Sequence, residues 1–592
     1  MSFTPAASFT TRPQLTGTFG MAASTHPTAT AVAQAVLERG GNAFDAACAG
    51  GFTLHLAEPH LNGPGGDLVG LFQPADAAGP TVLMGQGPAP AGADIAHFRR
   101  EGLDLVPGAG GLAAAIPGAV DAWLLLLRDH GTWEIADVLA YAIGYARDGH
   151  PIVPTAAATI ERVVDLFTEH WPTSADLWLI DGRAPRTGEM HRNLAYAAVL
   201  ERLIDAGSPA DTREGRIDAA RREWSTGIVA QAASAFLRTP HRHSSGTDHA
   251  AVMTEADFAT FSAGYEEPLS ATFRGRTVFK AGSWTQGPVL LEALRILEPL
   301  PDERFDVATA AGAHTVLETL KLVLADRDAH FGDGADLDWL FAEDTLSVRR
   351  ADLGDGASAT WRPATRDGAA SWQPPLRHPG TEMTAGTGEP TVAKTGETRG
   401  DTCHIDVVDR WGNIVAVTPS GGWLQSSPTI PELGFCLGTR LQMCWLDEAS
   451  PAALTPGRRP RTTLSPTFIH DGTTTIAMGT PGGDQQDQWQ LPMVLRMIVG
   501  GYTAQQAIDA PTLHTLGMVE SFWPRTWSPP AAVVEDRLGD EVIAELTQRG
   551  HDVTRAGDWA LGRLSAVGRD ADRGVMWAAA NPRGMQGYAA GR

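Results

Sequence analysis

The chain has 592 residues, with 46 basic against 69 acidic side chains and a formal net charge of -23. At ~100–200 residues per domain the length allows several domains. The acidic balance, with no Lys/Arg run of five, argues against a nucleic-acid or membrane-surface partner. The longest apolar stretches, such as Ala122-Trp123-Leu124-Leu125-Leu126-Leu127, fall short of the ~18 residues needed to cross a bilayer.

Taken in order, the first twenty residues lack a basic start followed by an apolar core, so no secretory leader is expected and a cytoplasmic location is. Residues 24–57 read as helix: Val32, Ala35 and Val36 fall at helical spacing, Gly40-Gly41 interrupts, and Ala43 to Leu56 resumes. Pro117, Val120, Trp123, Leu124 and Leu127 repeat the pattern until Gly131. Stretches 133–147, 193–238, 287–298 and 305–331 are also helical, which makes the first part mostly α. From Ala351 to Asp401 the texture shifts to Gly, Pro, Thr and Ala with few large aliphatics, read as a mobile, extended connector. After it the period becomes two. His404 and Asp406 alternate with Ile405 and Val407, Asp409–Asn413 turns, and Ile414–Val417 returns; a second hairpin is expected over 467–478.

Cys48, Cys403, Cys436 and Cys444 form neither a disulfide framework nor a CxxC site, and Cys48 reads as a small buried residue. His26, His55 and His60 lack HExxH-type spacing, so no metal and no cofactor are expected.

The most informative stretch is Asp401-Thr402-Cys403-His404, at the mouth of the first hairpin. Were the bond before Thr402 cut, the residue would carry a hydroxyl and a free α-amine, which titrates near ~7.7–8. That is close to the optimum for a general base, and Thr with its own amine is a recognised nucleophile–base pair. Four further stretches accompany it: Gly40–Ala47 leading to Glu58-Pro59-His60-Leu61-Asn62-Gly63-Pro64-Gly65-Gly66-Asp67; Arg458–Thr467; Gly479-Thr480-Pro481-Gly482-Gly483-Asp484; and Ala507–Pro511.

Together, in order and spacing, these motifs resemble the γ-glutamyltransferase family of N-terminal-nucleophile (Ntn) hydrolases, from about residue 20 to the C-terminus. The resemblance implies a four-layer αββα fold. It also implies self-cleavage between Asp401 and Thr402 into an α subunit, 1–401, and a β subunit, 402–592, with αβ dimers known in the family. It gives Thr402 as nucleophile, Ser420 as a hydroxyl bonded to it, and Gly482 and Gly483 as oxyanion donors. Thr462 and Thr463 correspond to the hydroxyl pair that holds a substrate carboxylate. The loop Gly63–Asp67 packs near that site, although its glycines could equally be turn-makers. Asp484 opens a helix whose N-terminus adds positive potential, and it joins the candidate substrate-binding residues.

Two departures bear on the substrate. Gln86 or Gly85 stands where the family has an Arg for the glutamyl carboxylate. After Gln442-Met443 the acid that holds the α-amine is replaced by Trp445 or displaced to Asp447. Charge-assisted hydrogen bonds are each worth roughly 1.5–3 kcal/mol, so losing two weakens a γ-glutamyl substrate by about a hundredfold or more. Trp411, Trp423, Trp445 and Trp489, with Gln425, Gln485, Gln486 and Gln488, are read as core or as the lining of a less charged pocket. The expected activity is acyl transfer from a small amide-type molecule to water or an amine. A divergent branch that removes an oxalyl unit by C–C hydrolysis in lincosamide and pyrrolobenzodiazepine biosynthesis gives an alternative, and an uncleaved binding relative gives a second.

Overall fold

The computed structural model describes residues 3–366, 368–379 and 402–592. Its strands are β1 Leu15–Gly17, β2 Gly20–Ser24, β3 Asp67–Gln73, β4 Thr81–Gly85, β5 Gly264–Glu266, β6 Leu269–Phe273, β7 Arg276–Lys280, β8 Ile405–Asp409, β9 Ile414–Ser420, β10 Thr467–Asp471, β11 Thr474–Gly479, β12 Ser565–Asp570, β13 Val575–Ala580 and β14 Tyr588–Gly591. They build two seven-stranded sheets, in the orders β14-β2-β8-β9-β3-β4-β5 and β1-β13-β12-β11-β10-β7-β6. The hairpins expected around Asp409–Asn413 and Asp471-Gly472 are β8–β9 and β10–β11.

Both faces of each sheet are covered. On β8, Ile405 and Val407 join the helix-side core, whereas Val408 joins the core between the sheets. Asp406 also points inward, where it pairs with His404 at 2.7 Å and accepts from Ser565 on the opposite sheet at 2.7 Å. The two-residue alternation in the sequence therefore separates two buried faces rather than a wet face from a dry one. Burial pushes the Asp406 carboxyl up, against the pull of His404 and Ser565.

One helical layer contains α1 Pro27–Glu38, α2 Ala43–Ala57, α3 Ala119–His130, α4 Ile135–Asp148, α5 Leu194–Gly207 and α6 Arg213–Thr226. The other contains α7 Pro288–Leu297, α8 Ala310–His330 and α9 Gln486–Ile498. The order helix, sheet, sheet, helix is the αββα arrangement. Local chemistry places the helix ends: Asn42 and Asp45 form a reciprocal capping box on α2, and Gly131 ends α3. Among the described residues, no helix is long and apolar enough to cross a membrane.

The first part of the chain is mostly helical, as expected, but it also supplies β1 to β7, half of the strands of the two large sheets. Strands such as Gly20–Ser24, buried throughout, carry no alternation to betray them. The connector differs from expectation: its described part is tied down. Ala364 N–H donates to Asp326, Arg362 pairs with Glu318 at 2.9 Å, and the Arg377 carbonyl accepts from Trp527 N–H at 2.6 Å. The rest of that stretch, including Asp401, lies outside the described residues.

Candidate active site

Thr402 lies just before β8 and pairs in antiparallel fashion with Ser420, the last residue of β9. Cys403 N–H donates to the Pro419 carbonyl at 3.0 Å, which holds the two ends together. The Thr402 hydroxyl donates to Ser420 Oγ at 3.2 Å, and both residues are buried. The eighteen-residue separation is thus closed by a single hairpin.

The Gly63–Asp67 loop abuts Ser420–Gly422 backbone to backbone. A Cβ on Gly66 would stand 2.1 Å from the Ser420 carbonyl oxygen, so close approach, not only turning, requires glycine there. Next along, Asp67 receives a bidentate pair from Arg440 at 2.6 and 2.7 Å, with both side chains buried. Behind the nucleophile, Glu58 accepts from Thr25 at 2.5 Å and Cys403 Sγ at 3.1 Å. Neither Glu58 nor Arg440 was singled out in the sequence; only their place beside a motif hinted at them.

Gly482 and Gly483 form a turn with φ of +130° and +54°, leading through a short 3-10 turn into α9. Trp489 packs against Gly482 and Phe522 against Gly483. Successive N–H groups in such a turn, with a helix start behind them, make a concavity suited to negative charge.

Of the expected substrate contacts, some keep an unpartnered buried atom and some are otherwise engaged. Thr463 Oγ1 is buried without a partner, while Thr462 is fixed by its N–H to the Trp284 carbonyl at 2.9 Å. Gln86 is buried and donates to the neighbouring Gly87 carbonyl, leaving its Oε1 unpartnered. Gln442 donates to the Gly108 carbonyl and Thr439 and accepts from Trp523 N–H at 3.1 Å, so it braces the loop carrying Trp523. Asp484 is committed to Arg327 and to Ser521, which donates through N–H at 2.8 Å and Oγ at 2.5 Å. It holds that loop rather than offering a free carboxylate. Asp447 accepts from Trp372 Nε1 at 2.9 Å. Trp489 packs on Gly482, Trp423 meets Phe522 edge-on and Trp445 lies under Arg525, whereas Trp411 is 46% exposed at the β8–β9 turn, under Arg410. Gln486 and Gln488 serve main-chain groups of Ser465 and Thr515.

Two arginines were missed as site residues. Arg461 directly precedes Thr462, and Arg525 follows Trp523-Pro524; both are buried. Burial lowers their pKa to about 10 and about 9, helped by the Arg327 cation at Arg461 and by the Arg461 cation at Arg525. Cys444 next to them is pushed up to about 12 by burial and stays a thiol. Among the described residues one cluster of metal-type side chains occurs, His314, Glu318 and His551, with ligand atoms within 4.8 Å. Its acid is already bound by Lys321 and Arg362, so the cluster is short of the negative charge a cation needs.

The gamma-glutamyltranspeptidase family model matches residues 29–591. The chain belongs to this family. As a member of the gamma-glutamyltranspeptidase family it is an Ntn-type enzyme of the hydrolase or transferase class. A solved structure described as LmbA2991T421A is 52% identical, covers 99% of this chain and 100% of that one, and superposes with a TM-score of 0.93. A cephalosporin acylase from Bacillus halodurans is 25% identical with a TM-score of 0.81, covering 100% of this chain and 99% of its own. The oxamate amidohydrolase proenzyme of Klebsiella pneumoniae subsp. pneumoniae is 29% identical over 92% of this chain and 93% of that protein.

Proposed function

We propose that the protein is a self-processing hydrolase acting through a Thr402 acyl-enzyme on a small acyl compound other than glutathione. The observation that carries this is the Thr402–Ser420 hydroxyl contact of 3.2 Å at the head of a central hairpin. In the precursor the Thr402 nitrogen is still an amide. Thr402 Oγ attacks the Asp401 carbonyl, the acyl group moves from nitrogen to oxygen, and water releases chain 1–401. The freed α-amine then takes the Oγ proton when the substrate carbonyl is attacked, while the N–H groups of Gly482 and Gly483 receive the developing oxyanion. The amine next protonates the leaving group, and water, or an amine acceptor, takes the acyl from Thr402.

The alternative substrate chemistry, C–C hydrolysis releasing an oxalyl unit, uses the same nucleophile on a ketone and has support from the oxamate-cleaving relative, since oxamate is the monoamide of oxalic acid. The reading as an uncleaved binding protein has against it the retention of Thr402, Ser420, Gly482 and Gly483 together. Intact mass and N-terminal sequencing of wild type beside Thr402→Ala decide the matter. Two chains in the wild type, one starting at Thr402, with one uncut chain in the variant, are expected. A single 592-residue chain in both would overturn the catalytic reading.

A further inference from the structure

The loop 519–527 brings three buried guanidiniums near the glycine turn, and they are treated unequally. Arg327 takes two carboxylates of the region, Asp328 and Asp484. Among the described residues Arg461 and Arg525 form no salt bridge, and Asp328 and Asp484 act on them only from a distance. Arg461 donates one Nη2 bond to Ser521 Oγ at 2.8 Å, and its Nη1 has no partner. Arg525 donates from Nε and Nη2 to the Gln442 carbonyl, lies 3.9 Å over the Trp445 ring, and likewise leaves Nη1 unpartnered. Their exposures are 4% and 2%.

Burying a cation without a counter-charge is costly, and proteins ordinarily pair it. An uncompensated guanidinium pair is therefore a site prepared for an anion, and the planar fork of Arg matches a carboxylate. The open atoms adjoin the catalytic turn. Thr463 Oγ1, two residues from Arg461, is a third unpartnered donor. Phe522, beside Ser521, packs on Gly483. Trp423, which follows the Ser420-Gly421-Gly422 turn, stacks edge-on against Phe522.

Resting on the Thr402 reading, we infer that Arg461 and Arg525, with Thr463, bind a carboxylate carried by the acyl group itself. The substrate class is then a monoacyl derivative of a dicarboxylic acid, without an ammonium group. Among the described residues the nearby carboxylates are already engaged: Asp328 and Asp484 by Arg327, and Glu520 by the Thr526 hydroxyl, which donates at 2.7 Å. Two cations would also repel a free α-ammonium.

The test is calorimetric titration of purified protein with malonate, succinate, glutamate, neutral malonamide and inorganic phosphate, for wild type, Arg461→Met and Arg525→Met. Wild type should bind one of the dicarboxylates, and each variant should bind it about tenfold to a hundredfold more weakly. Because each substitution removes an unpaired buried charge, the melting temperature should hold or rise. A variant that fails to fold, or melts lower, would make that arginine structural and overturn the assignment. So would phosphate or malonamide binding as tightly as the dicarboxylates, or dicarboxylate binding untouched by both variants. Binding requires no turnover, so Arg-dependent binding by a chain that never cleaves would uphold this site while the Thr402 reading fails.

Discussion

Replacing Gly482 by alanine isolates the demand that the glycine turn makes. At φ +130° an L side chain is strained, at a cost of about 1–3 kcal/mol. The new Cβ would also lie 2.3 Å from Cζ3 of Trp489. That ring is fully buried and hydrogen-bonded to His514 at 3.3 Å, so it has little room to retreat. Overpacking of this kind costs about 1–3 kcal/mol, for a combined loss of about 2–6 kcal/mol. If the backbone yields instead, the N–H groups swing away from the oxyanion, and losing one such donor slows acyl chemistry about 10²–10³-fold. Self-cleavage is the assay because it needs no substrate: the fraction of cut chain is followed by mass alongside the denaturation midpoint. Gly501→Ala is the control, with φ +64° but nothing within 4 Å of the added methyl; it should lose only about 1–2 kcal/mol and cleave normally. A Gly482→Ala protein that cleaves at the wild-type rate with an unmoved midpoint would refute the reasoning.

Two further outcomes follow from buried charge. Arg440→Met strands Asp67, and breaking a buried pair should cost about 3–5 kcal/mol. The deficit should shrink at low pH, where Asp67 can take up a proton, and urea unfolding at several pH values reads both effects. Burial raises the half-buried Glu520 carboxyl to about 7 from its ordinary value of 4.5. Between those values the unfolded chain has lost the proton that the folded chain keeps. Stability therefore falls as pH rises from 4.5 to 7, and Glu520→Gln should flatten that part of the profile.

Much of this was legible because short-range chemistry announces itself. Asn42 and Asp45 cap α2, Gly131 ends α3, and the Asp409–Asn413 turn closes β8 on β9, all readable from neighbours in the chain. Thr402, Ser420 and the Gly482-Gly483 turn stand in motifs whose order carries the family resemblance. The failures are of another kind. Arg461 stood inside the Arg458–Thr467 stretch without a role, and Arg525 lay outside every motif. Trp411 counted equally with Trp445 until one was found half in solvent and the other buried.

The sequence by itself determined the two hairpins, the family and the candidate nucleophile, since each depends on residues a few positions apart or on motif order. Only the tertiary structure decided which charges are neutralised. Asp484 and Arg327 are 157 residues apart, and no local pattern says that this pair closes while Arg461 and Arg525 stay open. Charge compensation in a low-dielectric interior depends on distances between distant segments, and those distances exist only once the chain has folded.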